Sequence, residues 1–292
     1  MRFGVFLPQL RMSFEALLER ALAAEAAGFD SVWFMDHLAA PALPEADCLE
    51  GFTVATAVAA KSSRIRIGHL VLCDAFRHPA LLAKMAATLD VISGGRFELG
   101  IGWGSVPGEL EAFGFGAAPA AERAARLAET IEVLRALWTG ERVSHRGRFF
   151  SLDGALARPR PLQAPLPIHV GGAGAKLTLP LAAKVGSWWN CPSYAADRLA
   201  ELAPRVAPAR ISVQHPVGFV RSESERAAVW ALAERRFGAW GGLLVGTADE
   251  LAARFAAEAA LGAERFVLQF HDFGQPDTLA AFAREVVLLV GG

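Results

Sequence analysis

The sequence predicts an α/β protein, a closed (β/α)8 TIM barrel with an insertion around residues 140–166. Three observations predict it. Eight short apolar segments alternate with amphipathic helical segments along the chain. Ile65–Gly104 reads strand, helix, strand, an order that forces a parallel crossover. The length, 292 residues of which 53% are hydrophobic, is that of such a barrel plus extra loops. A doubly wound sheet is the alternative, but it rarely carries eight helices. We read residues 1–292 as a single barrel domain.

The elements follow in order. Arg2–Leu7 is the first strand, closed by Pro8. Ser13 caps a helix with Phe14, Leu17, Leu18, Ala21 and Leu22 at helical spacing, and Gly28 ends it. Ser31–Met35 is the second strand, ending in Asp36-His37, and Glu50–Lys61 is a helix. Ile65–Cys73 is rich in β-branched residues and reads as a third strand buried on both faces. Pro79 opens a helix where a missing N–H costs nothing, with Leu81, Leu82, Met85, Ala86 and Leu89 on one face. Arg96–Ile101 is the fourth strand, and a Gly/Pro-rich loop, Trp103–Ala120, leads to helix Glu122–Thr139.

The alternation then breaks. Glu141–Leu152 fits a hairpin around Arg146-Gly-Arg, and the four prolines of Arg158–Pro167 exclude helix. It resumes with strands Pro167–Val170, Ser187–Asn190, Ile211–Val220 and Arg265–Phe270. Helices run up to Val185, near Ala195–Ala203, and over Asp277–Leu289 at the end. Ser222 with Glu225, and Thr247 with Glu250, read as capping boxes for two more.

Composition excludes several function classes. A net charge of −1 gives no electrostatic case for nucleic acid or an anionic membrane. No apolar run reaches membrane-spanning length free of charges or glycines. Phe3–Leu7 reads as a strand rather than part of a leader. Cys48, Cys73 and Cys191 are an odd, scattered set, so a reduced cytoplasm is the expectation. The histidines never fall in ligand pairs, so no metal is expected.

In a barrel of this kind the strands end on one face, and that face holds the site. The ends here include Asp36-His37, Leu70–Asp74, Gly100–Ser105, Gly171–Gly174 and Trp188–Cys191. Glycines at such ends let a flat ring or a phosphate approach bare backbone. The set suits a large, flat, phosphate-bearing ligand. It is not a dinucleotide fingerprint, since the glycines follow the fourth strand and Pro107 comes after them. None of the four lysines sits at a strand end, which leaves a Schiff-base lyase without support. Cys73 reads as a packed thiol, and His169 and His271 as core histidines.

The chain resembles the bacterial luciferase-like flavin and deazaflavin oxidoreductases. The resemblance is carried by Phe3-Gly-Val-Phe-Leu-Pro8, Glu25-Ala-Ala-Gly-Phe-Asp-Ser-Val-Trp33 with Asp36-His37, and Arg77-His-Pro-Ala80. It continues in Ala87-Thr-Leu-Asp-Val-Ile-Ser-Gly-Gly-Arg96, Gly100-Ile-Gly-Trp-Gly104, Arg158-Pro-Arg-Pro-Leu-Gln163 and Ile168-His-Val-Gly-Gly-Ala-Gly174. The match is closest to the branch that uses coenzyme F420, with FMN-dependent members sharing most motifs.

The resemblance implies an F420-dependent hydride transfer to or from a small organic substrate. The alternatives are an FMN-dependent monooxygenase and a non-catalytic flavin-binding barrel. It implies His37 as the proton-handling residue, with Asp36 orienting the histidine or the cofactor, and a cis peptide at Leu70–Val71 behind the ring. Ile101, Gly102, Trp103 and Gly104 would line the ring or its ribityl chain, with Trp103 equally readable as core. Gly171, Gly172, Ala173 and Gly174, preceding a helix, would hold the phosphate, and Asn190 is included among the cofactor contacts. The family usually dimerises, so a homodimer is expected. One departure matters: Ser105 stands where sugar-phosphate dehydrogenases of the family carry a catalytic glutamate. Glu109 and Glu111 fit the family's helix start, so no acid is assigned, and sugar-phosphate oxidation is not expected.

Overall fold

The computed structural model describes residues 1–41, 43–116 and 118–290. In chain order the elements are β1 (Arg2–Phe6), α1 (Phe14–Ala27), β2 (Ser31–Phe34), α2 (Gly51–Lys61), β3 (Arg66–His69), β4 (Leu72–Cys73), α3 (Pro79–Ile92), β5 (Phe97–Gly102), α4 (Pro107–Ala112) and α5 (Ala120–Trp138). There follow β6 (Arg142–Arg146), β7 (Ser151–Leu156), β8 (Ile168–Gly171), α6 (Thr178–Val185), β9 (Trp188–Cys191), α7 (Leu199–Leu202), β10 (Arg210–Phe219), α8 (Arg226–Phe237), β11 (Leu244–Gly246), α9 (Ala248–Ala260), β12 (Ala263–Phe270) and α10 (Pro276–Phe282).

The ring runs β1, β2, β3, β5, β8, β9, β10, β12 and back to β1, every pairing parallel. It is the eight-strand closed barrel that the alternation predicts, and the hairpin β6–β7 interrupts it where expected. Glu129 of α5 docks that hairpin by accepting the backbone N–H groups of Arg148, Phe149 and Phe150. Both capping boxes are present, at Ser222/Glu225 and Thr247/Glu250. No helix among the described residues is long and apolar enough to cross a membrane.

The local corrections have physical reasons. The long third strand is two pieces, β3 and β4, interrupted at the cis peptide Leu70–Val71. The loop after β5 contains α4, which Pro107 starts. The stretch near Ala195–Ala203 is mostly tight 3-10 turn, with only four α-helical residues in α7. Leu81 faces solvent at 55% exposure, because α3 buries Leu82, Ala83, Ala86 and Leu89 instead. An unforeseen strand, β11, adds to β10 outside the ring.

Side chains alternate across each strand. Those pointing outward, such as Phe3, Phe266 and Phe255 of α9, form the main core under the helices. Those pointing inward fill the lumen in layers. At the strands' N-terminal ends lies a buried ionic cluster. Glu98 binds Arg265 at 2.6 and 3.1 Å, His169 at 2.5 Å, and the Arg66 guanidinium. Above it Phe6, Trp33, Met35, Leu70 and Val267 make an apolar plug. Trp33 needs Gly4 and Gly68 beside it, since a Cβ on either would lie 2.8 Å or less from the indole. The lumen is therefore closed below, and only the C-terminal mouth is open.

Candidate active site

A cavity of about 390 Å³ opens at that mouth. Its walls come from the ends of β2 (Asp36, His37), β3–β4 (Leu70–Cys73), β5 (Gly102–Ser105) and β8 (Gly171–Gly174). Of the residues singled out from sequence, Asp36, His37, Leu70, Val71, Gly102, Trp103, Gly104, Gly171, Gly172, Ala173 and Gly174 all line it. Two do not. Ile101 is fully buried under the helices, and Asn190 is buried and donates to Ser212 Oγ at 3.0 Å.

His37 is held by a residue that sequence reasoning had set aside. Its Nδ1 lies 2.9 Å from Glu109 Oε2. Glu109 Oε1 accepts the backbone N–H groups of Leu38 at 2.7 Å and Ala39 at 3.2 Å. One carboxylate thus fixes both the imidazole and the start of the loop that follows it. With the hydrogen on Nδ1, the lone pair of Nε2 is available to a ligand. Glu109 sits in the first turn of α4, where a carboxylate also suits the helix dipole. The helix-start pattern hid it, because the same position satisfies both roles.

Asp36 does something other than orient the histidine. Its carboxylate takes a two-point grip from Arg77, at 2.7 and 2.9 Å, and the N–H of Cys73 at 2.7 Å. Arg77 also binds Glu50 at 2.6 Å. Asp36 therefore ties β4 to the end of β2, and so fixes the wall that carries Leu70 and Val71. Cys73 is buried there, and burial pushes its thiol up to about 11, which makes it inert near neutrality.

The glycines have a different reason from the one the sequence suggested. A Cβ on Gly102 would lie 2.8 Å from Val71 Cγ2, and one on Gly171 would lie 3.0 Å from Val71 Cγ1. On Gly100 it would meet His69 O at 1.7 Å. Bare backbone at these positions makes room for Val71 and the β3 carbonyl. Val71 then presents the apolar surface of the cavity.

The phosphate reading also changes in detail. Helix α6 does not start at Gly174. A turn over Ala175–Leu177 intervenes, and the N–H groups of Leu177, Thr178 and Leu179 point back to the Gly174 carbonyl. The N–H groups of Gly174, Ala175 and Lys176 make no hydrogen bond among the described residues. Of the three, Gly174 lines the cavity, so the loop rather than the helix end carries a free amide at its wall.

With this geometry in place, known proteins can be compared. The luciferase-like monooxygenase family profile matches residues 1–231. The chain belongs to the luciferase-like monooxygenase family. It is 35% identical over 178 residues to an F420-dependent glucose-6-phosphate dehydrogenase of Amycolatopsis mediterranei, covering 61% of this chain and 53% of that protein. A dehydrogenase of the same description from Kineococcus radiotolerans is 36% identical over 178 residues, covering 61% and 52%. The chain thus matches about half the length of these curated relatives. Among solved structures, an F420-dependent secondary alcohol dehydrogenase superposes with a TM-score of 0.83 at 20% identity, covering 99% and 98% of the two chains. The coenzyme F420 dependent tetrahydromethanopterin reductase of Methanopyrus kandleri gives 0.81 at 18%, covering 99% of each. At those identities the likeness is one of fold.

Proposed function

We propose that this family member is an F420-dependent oxidoreductase, passing a hydride between the deazaflavin and a small organic substrate, with His37 moving the proton. The observation that carries the reading is the His37–Glu109 pair on the wall of the 390 Å³ cavity. The F420-dependent curated relatives support the choice of cofactor.

The residues present fit such a group. Leu70, Val71 and Trp103 offer apolar surface to a flat ring, and the free amide of Gly174 offers a donor to its phosphate. When bound, a reduced deazaflavin supplies two electrons as a hydride from a ring carbon. The protein's own part is to orient, to exclude water and to manage a proton. Glu109 holds the imidazole by Nδ1, so Nε2 is the atom that takes a proton from an alcohol being oxidised or returns one to a carbonyl being reduced. Glu109 is a positioning residue in this scheme, and Asp36 acts one step further back, through Arg77 and β4.

The test is a titration of cofactor-free protein with F420 and with FMN, followed by tryptophan fluorescence, and a turnover assay with F420. We expect F420 to bind at micromolar concentration. His37→Ala should lower turnover by about 10²–10⁴-fold while leaving F420 affinity nearly unchanged. Normal turnover in His37→Ala, or failure to bind F420, would overturn the reading. The family's description as monooxygenases favours FMN as the second reading, and selective FMN binding would establish it.

A further inference from the structure

A second and larger cavity, of about 710 Å³, opens at the ends of β1 and β12. It lies on the same mouth as the first, and the loop after β2 contributes to both, with His37 to one and Pro41 and Leu43 to the other. Four arginines line it: Arg11 and Arg20 from the β1–α1 side, and Arg235 and Arg236 from the last turn of α8. None of the four forms a salt bridge among the described residues, whereas ten other arginines do. The dipole at the end of α8 accounts for Arg235 and Arg236, but not for Arg11 and Arg20.

The only acid in the lining, Asp272, is turned to local work. It accepts the N–H groups of Gly274 and Gln275 and the hydroxyl of Thr278, fixing the turn into α10. A second polar group is left without a partner. Gln269, the last inward-facing residue of β12, is 1% exposed and lines the cavity, and its Oε1 has no hydrogen-bond partner. A buried amide of this kind costs free energy until something binds it. Apart from Gln275, the remaining surface is apolar and includes Leu10, Met12, Phe237, Trp240 and Phe273. Arg236 lies over the Phe273 ring at 4.5 Å and donates Nη1 to the His271 carbonyl, which holds the guanidinium in place while Nη2 makes no hydrogen bond among the described residues.

We infer that this cavity binds an organic acid, a carboxylate carried on an aromatic or aliphatic body. Guanidinium forks match a carboxylate at two points, and Gln269 takes a second polar group of the ligand. The apolar walls take the carbon body and offer little to a polyhydroxylated sugar. The inference therefore departs from the sugar phosphate named for the curated relatives. It stands apart from the proposed function, since binding can be read without any cofactor.

The experiment uses the full chain free of cofactor, with 4-phenylbutyrate, its neutral analogue 4-phenylbutan-1-ol, and glucose 6-phosphate as probes. Calorimetry gives the affinities, and quenching of Trp240, checked in Trp240→Phe, locates the site. We expect the acid to bind at least about tenfold more tightly than the alcohol, and the sugar phosphate to bind more weakly than the acid. That preference should fall to about twofold or less in Arg20→Met/Arg236→Met. Arg11→Gln/Arg235→Gln, which alters exposed side chains only, should reduce it without touching the fold. Equal binding of acid and alcohol, a preference unchanged in both variants, or tighter binding of the sugar phosphate would overturn the assignment. A protein that binds the acid selectively yet ignores F420 would uphold this inference while removing the proposed reaction.

Discussion

Two histidine–glutamate pairs sit at opposite ends of the same barrel. At the closed end, His169 and Glu98 are 2.5 Å apart, with side-chain exposures of 0% and 3%. At the open end, His37 and Glu109 are 2.9 Å apart, with 22% and 9%. The residue types match, but the surroundings do not. Arg265 and Arg66 both bind Glu98. Burial alone would raise that carboxyl, yet Arg265 and His169 outweigh it and hold it well below the usual range. Burial likewise pushes the His169 imidazole down. No arginine or lysine among the described residues forms a salt bridge with Glu109, and His37 faces a cavity. One pair is locked as structure, while the other keeps a nitrogen for chemistry. A third pair, His215–Glu258, follows the locked pattern, with Arg254 on its glutamate.

The contrast can be broken from its closed end. Arg265→Met strips Glu98 of its main counter-charge in a dry lumen, and should cost about 3–5 kcal/mol of stability, read from chemical denaturation. If the loss were negligible, the cluster would not be holding that end.

His69 sharpens the comparison, because it has the burial of His169 and no carboxylate partner. Neither ring nitrogen has a hydrogen bond of ordinary geometry among the described residues, and burial, only partly offset by nearby Asp36 and the Gly51 backbone, pushes it down to about 4. Between pH 6.5 and 4 the unfolded chain takes up a proton that native His69 refuses. Stability is therefore lost as the pH is lowered from 6.5 to 4, by about 3 kcal/mol in total from this residue. His69→Leu should flatten the wild-type curve there, as measured by denaturation at several pH values.

At the open end, Glu109→Gln keeps the acceptor for Leu38 and Ala39 but weakens the grip on His37. Turnover should fall about 10–100-fold with F420 affinity unchanged, and the pH–rate profile should shift. A stability loss as large as that of Arg265→Met would mark Glu109 as structural instead. The smallest effect belongs to the rim thiol. Cys73→Ala should leave turnover unchanged within error, because a thiol held up to about 11 is not an ionised nucleophile at pH 7.5.

The ring of strands was legible because each strand end carries a local signal: Pro8, the Ser13 cap, Gly28, the capping boxes. The hairpin insertion was legible for the same reason. Strand β11 was not, since Leu244–Gly246 is three residues long and pairs only outside the ring. At the site, sequence could name His37 but not its partner, because 72 positions separate it from Glu109 and only the closed barrel brings them together. It named Asp36 as orienting the histidine or the cofactor but could not see Arg77 seizing its carboxylate. The second cavity was invisible, since its arginines come from segments more than 200 positions apart.

The side chain of Val71 settles how this rim can change over generations. A methyl group at 102 would clash with the branched residue at 71, one at 171 would crowd it, and position 100 is blocked by a main-chain oxygen whatever stands there. A lineage seeking a wider or narrower mouth must therefore trim residue 71 first and enlarge its neighbours second. The reverse order passes through a protein whose Val71 is pushed out of its place.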